Sequence, residues 1–110
     1  MAWFFDPLHA HIKERLPTNA HGGFAIVRSI AEEYFDGRSP NQRTQGVNFV
    51  VAVWAANQIA QGKYPISQKD YEFICNASNT AWGWLTEDSR QAAEYCVDNL
   101  ASNGHIKKLV

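Results

Sequence analysis

Apolar residues return along this chain every three or four positions, in segments long enough for helices and separated by clusters of turn formers. The breaks fall at 17–23, 36–40, 62–67, 76–86 and 103–104, where Gly, Pro, Asn, Ser and Asp collect. The first segment opens on Asp6-Pro7, an N-cap residue followed by proline at the first helical position. Leu8, Ile12 and Leu16 then share one face until Pro17 ends the run. In the second segment Phe24, Val27, Ile30, Ala31, Tyr34 and Phe35 fall on one side, and Arg28, Ser29, Glu32 and Glu33 on the other. Asp36-Gly37 stops it.

The third segment begins with Ser39-Pro40-Asn41-Gln42, the layout of a capping box. Gly46 is expected to hold back its start, giving a helix over about 44–61. Val47, Val50, Val51 and Val53 would also suit a strand. The alanines at 52, 55, 56 and 60, with Gly62 at the end, decide for a helix. Its first half is apolar almost all round, which places it in the middle of a bundle, while Asn57, Gln58 and Gln61 are expected to lead its far end into water.

A fourth helix starts at Ser67, with Asp70 three residues on, and carries Tyr71, Ile74 and Cys75. A fifth follows Thr86, with Glu87 and Asp88 at the positive end of the helix dipole. Its buried stripe is Ala92, Ala93, Cys96, Val97 and Leu100, and Asn103-Gly104 terminates it. The tail His105 to Val110 alternates weakly and reads as a short edge strand. The expected architecture is all-α: one domain over 1–110, about five helices around the third.

Composition narrows what such a bundle does. At 110 residues the chain fits one domain, and 45% hydrophobic residues argue against disorder. The net charge of −1 lacks the basic footprint of a general nucleic-acid binder. Charge is uneven, however: the first 69 residues hold seven bases against five acids, and the rest three bases against six acids. The apolar start Met1–Phe5 is too short for a secretory signal, and the longest apolar run, Phe49 to Ala56, is far below the ~20 residues of a membrane helix. Two cysteines, Cys75 and Cys96, do not make a disulfide framework. The expectation is a cytoplasmic protein with reduced thiols and no membrane partner, in which the sequon Asn76-Ala77-Ser78 is a chance match.

Candidate chemistry is sparse. His9 and His11 diverge by about 200° on a helix and cannot chelate one ion. His11 shares a face with Glu14, and His21 follows in a glycine-rich loop, so these three define the alternative of a small metal-dependent hydrolase. No Cys-x-x-Cys or His-Glu-x-x-His pattern supports it, and no metal or cofactor is expected. Cys96 fits a core position, and neither cysteine has a local group to activate it. Phosphate-loop and Gly-x-Ser-x-Gly motifs are absent, so no catalytic residue is assigned and the chain is read as a non-enzyme. His21-Gly22-Gly23 reads as a flexible connector, the alternative being an anion site at a helix start. A DNA-binding regulator would have to use the helix from Ser67 or the bases Arg38 and Arg43.

Aromatic residues carry the remaining signal, fourteen in all with four tryptophans. Phe24, Phe35, Phe49 and Trp54 fit apolar helix faces. Trp82 and Trp84 instead flank Gly83 in what reads as a polar connection, where extended backbone would send both to one side. That segment is either a lid over the bundle end or a handle for a partner. Trp3-Phe4-Phe5 poses the same choice, with a hydrophobic staple as the plain reading. The functional expectation is a small protein-binding module, of inhibitor or immunity type, that occludes a partner protein, with self-association through an aromatic patch as a further option. Its expected contact surface is Trp82, Trp84, Glu87, Asp88 and Glu94.

Overall fold

Three helix starts are set by a hydroxyl. Ser39 Oγ accepts from the Gln42 amide at 3.3 Å, Ser67 Oγ from Asp70 at 3.2 Å and Thr86 Oγ1 from Ser89 at 3.2 Å. Each bond satisfies an amide that a helix leaves unpaired in its first turn. In the computed structural model, which describes residues 6–16, 20–63 and 66–107, these caps open α3 (Pro40–Ala60), α4 (Gln68–Trp84) and α5 (Glu87–Ser102). Two helices precede them, α1 (Asp6–Arg15) and α2 (His21–Tyr34). The described residues contain no strand, so the fold is all-α.

The third helix is the axis of the bundle. It packs most extensively on α4, then on α2, α5 and α1. Val47, Val50, Val51, Ala52, Trp54 and Ala55 are buried on it, together with Ile12 and Leu16 of α1, Phe24, Val27 and Ala31 of α2, Ile74 of α4 and Ala93, Cys96 and Leu100 of α5. The helix starts at Pro40 and not near Thr44. Gly46 does not delay it, because Gly46 lies in the groove that Phe35 fills: a Cβ there would overlap the Phe35 ring. The glycine is a packing requirement, and its helix-propensity cost is offset by burial of a whole phenyl ring.

The far end of α3 is only partly in water, because the chain that follows α5 lies against it. Gln58 is buried and donates Nε2 to the His105 carbonyl at 2.9 Å. Asn57 holds the Lys107 backbone from both sides, Nδ2 to its carbonyl at 2.6 Å and Oδ1 from its amide at 3.0 Å. These amides receive the chain as it leaves α5, and they take the place of the expected edge strand over His105–Lys107. Gly62 and Gly104 stand just past α3 and α5 with φ of 76° and 82°, the left-handed turn that ends a helix. In the second of these turns His105 N–H returns to the Leu100 carbonyl at 2.8 Å, which aims the chain back toward Gln58.

His21-Gly22-Gly23 is not a connector. It forms the first turn of α2, where Gly23 lets the Trp54 ring approach a would-be Cβ to 3.2 Å. The aromatic start Trp3-Phe4-Phe5 and the last residues, 108–110, lie outside the described residues.

Candidate functional site

Trp82 and Trp84 lie in the last turn of α4, not in a connection. Ile74, Ala81 and Leu85, spaced by seven and four, are buried on one side and carry the helix through the polar stretch Asn76–Thr80. That stretch contains turn-type residues, and it was this composition that suggested a break. On a helix, residues two apart diverge by about 200°. The two tryptophans therefore face opposite ways, and the side-by-side pair expected from extended backbone does not form.

Trp82 is half-buried, its ring centroid 4.9 Å from Phe49 of α3, with the Arg90 guanidinium 5.2 Å over the ring. Arg90 Nε also donates to the Trp82 carbonyl at 3.2 Å. Trp84 is 62% exposed. The turn between them and α5 is only Leu85-Thr86, and Gln42 fixes it from α3. Its Nε2 donates to the Trp84 carbonyl at 3.0 Å and its Oε1 accepts from the Thr86 amide at 2.9 Å. Ser39 thus caps α3 as a capping box would, but Gln42 reaches across to the next helix pair and not back to its own cap.

Trp82 borders two openings. One, of about 500 Å³, has an apolar floor of Phe49, Val53 and Val97 and a polar rim of Asn79, Glu94 and Asp98. The other, of about 640 Å³, is lined by Trp82, Glu87, Asp88, Arg90, Gln91 and Glu94. The fold therefore gathers Trp82, Glu87, Asp88 and Glu94 from the expected surface and leaves Trp84 outside it. Asp98 and the apolar floor are additions. The acidic stripe is visible in the spacing of α5, where Glu87, Glu94 and Asp98 stand seven and four residues apart on one side. Phe49, Val53 and Val97 read only as core, because helix periodicity does not show where a neighbouring helix fails to cover them.

Within this face Asp88 is paired with Arg38, whose guanidinium also sits 5.9 Å over the Phe35 ring. Of the two bases that DNA binding would use, Arg38 and Arg43, the first is thus paired with an acid. Among the described residues no salt bridge engages Glu87, Glu94 or Asp98, and their carboxylates are exposed.

The histidines lie elsewhere. His9 is buried, its ring edge-on to Phe24 at 5.4 Å. His11 stands 3.7 Å from the Asp70 carboxylate of α4, which also accepts from Arg15 Nε at 2.9 Å. Burial, and then the Arg15 charge, push the His11 imidazole below its ordinary value, against the opposite pull of Asp70 and Glu14. The Arg15 and Ser67 hydrogen bonds hold the Asp70 carboxyl below the usual carboxylate range. His11, Glu14 and His21 are not brought together, and no group of three or more His, Cys, Asp or Glu placed for a metal occurs among the described residues. Burial raises the Cys96 thiol to about 12, so it stays protonated at neutral pH. No helix is long and apolar enough to cross a membrane among the described residues. Protein-family models, curated proteins and solved structures were compared with the chain, and none matches it.

Proposed function

We propose that the protein is a binding module that captures a basic partner protein on the Trp82 face of α4 and α5. The observation that carries this reading is the juxtaposition at two openings that share Trp82 and Glu94. A half-buried tryptophan and an apolar floor meet the carboxylates of Glu87, Glu94 and Asp98. Tryptophan set in a concave apolar site is a typical anchor of binding energy. Carboxylates at the rim attract and orient a cationic surface, and they reject an acidic one. Action by occlusion, as in an inhibitor or immunity-type protein, suits a face made of rigid helices with no assigned catalytic group.

Affinity capture from the source cells with wild type, Trp82→Ala and Trp84→Ala tests it. The expected result is a partner of basic surface that is retained by wild type and Trp84→Ala, lost with Trp82→Ala, and released by salt. An identical set of captured proteins from all three would overturn the reading.

A further inference from the structure

The side of α4 that carries Trp84 has a chemistry of its own. At 100° per residue Phe73, Ala77, Thr80 and Trp84 form one stripe, opposite Trp82. Beside it α1, α3 and α4 enclose a cleft of about 430 Å³, within the range of small-molecule sites. Its polar and aromatic lining is His11, Gln45, Asn48, Phe73, Asn76 and Thr80. Among the described residues no carboxylate, ammonium or guanidinium lines it, in contrast to the acidic rim across the helix.

Three features of this cleft point to a ligand. Gln45, Asn48, Asn76 and Thr80 can each both donate and accept hydrogen bonds. Two atoms on its lining residues are shielded from water without a hydrogen-bond partner, Asn48 Oδ1 and His11 Nε2. The nearest acid to the latter, Asp70 at 3.7 Å, is beyond hydrogen-bond reach. Such atoms destabilise a protein and in native structures require an explanation. Finally, Phe73 is 45% exposed, although the His11 ring backs it at a centroid distance of 4.0 Å. Trp84 offers a second exposed ring on the same stripe, eleven residues or about 16 Å along the helix.

We propose that this face binds a neutral, hydroxyl-rich ligand, an oligosaccharide, with one sugar ring packed on Phe73 and its hydroxyls on Asn48 and the surrounding amides. A hydroxyl both donates and accepts, so it matches a row of amide side chains. The C–H face of a sugar packs on an aromatic ring, and Trp84 extends the platform for a longer chain. A phosphorylated or nucleic-acid ligand would need cations that the lining does not offer. This site is separate from the Trp82 face and stands or falls independently of it.

The test is amide-resolved NMR of the full chain titrated with maltotriose, cellotriose, triacetylchitotriose and, as a flat heterocycle, adenosine. The expected result is that a trisaccharide shifts Asn48, Phe73 and Thr80, with affinity falling about tenfold or more in Asn48→Ala and in Phe73→Ala. Phe73→Ala removes an exposed ring and leaves the fold intact. Asn48→Ala removes an unpartnered buried acceptor, so its thermal midpoint stays level or rises while binding is lost. Glu94→Lys binds sugar as the parent does. Silence from all three trisaccharides, shifts confined to α5, or unchanged binding by Asn48→Ala would overturn the site. A response to adenosine alone would overturn the assignment of the ligand.

Discussion

Phe35 and Trp82 are both aromatic residues laid against α3, and they meet it on opposite terms. At Phe35 the neighbouring helix has no side chain at all: Gly46 opens a groove that the ring fills, and even a methyl group would collide with it. At Trp82 the neighbours are Phe49, Val53 and Val97, and the helices leave an opening of about 500 Å³ beside the ring. One contact is sealed and serves stability. The other is left open, with carboxylates at its edge. An aromatic side chain is available to a partner only where its neighbours fail to cover it.

The sealed contact is the place to look for the largest effects. Phe35→Ala should destabilise by about 3–5 kcal/mol in urea unfolding. Gly46→Ala should cost about 1–3 kcal/mol despite the better helix propensity of alanine, because the ring has to shift. The double variant should be more stable than the sum predicts, since the new methyl enters the space the ring vacates. Simple additivity would show that the two residues do not share one groove.

A chemical version of the contrast compares the thiols. Cys96 is buried and its thiol is pushed up to about 12, whereas Cys75 is half-buried on α4. Under native conditions a maleimide should label Cys75 first, and Cys96 only at the rate of unfolding, as mass spectrometry would show. Early labelling of Cys96 would mean that the α5 side of the core opens locally.

At the open contact the expected changes in stability are smaller. Trp82→Ala removes packing on Phe49 and Arg90 and should cost about 1–2 kcal/mol. Trp84→Ala should stay within about 0.5 kcal/mol, because its ring is mostly in solvent. Equal costs would contradict the opposed orientation of the two rings.

The smallest effect concerns acid, at the His11–Asp70–Arg15 cluster that joins α1 to α4. His11 is held below the ordinary imidazole value of 6.5, so the unfolded chain takes up a proton that the folded one resists. Its contribution is complete above that value and is lost as pH falls through the folded-state value. Asp70 is held below 3.8, so its ion pair persists until stronger acid and is then lost in turn. Urea midpoints should therefore fall in two stages on acidification. In Asp70→Asn the later stage should disappear.

Much of this fold was legible in periodicity. The faces of α2 and α5, the Ser39, Ser67 and Thr86 caps and the central burial of α3 all follow from spacing and from hydroxyls at helix starts. What was not legible depended on contacts between elements far apart in sequence. Asn57 and Gln58 looked solvated because the chain that accepts their hydrogen bonds arrives some fifty residues later. Gly46 looked like a local weakness because its partner is on another helix. Asn76–Thr80 looked like a turn because polar residues that face a cleft within a helix have the same composition as a loop. At the candidate site Trp82, Glu87, Asp88 and Glu94 were named from sequence. Asp98 follows Glu94 by one turn and shares its side of α5, but the floor beneath Trp82 required the packing of α3 on α4 and α5.

The open face makes one demand that separates binding from folding. Glu94 and Asp98 are exposed and lie one turn apart on α5, so reversing both to lysine should leave the unfolding free energy within about 0.5 kcal/mol of wild type. The direct measurement is partner capture by this Glu94→Lys, Asp98→Lys protein at low salt. The account predicts a folded protein that no longer retains the basic partner. A folded variant that still retains it would contradict the assignment of this face.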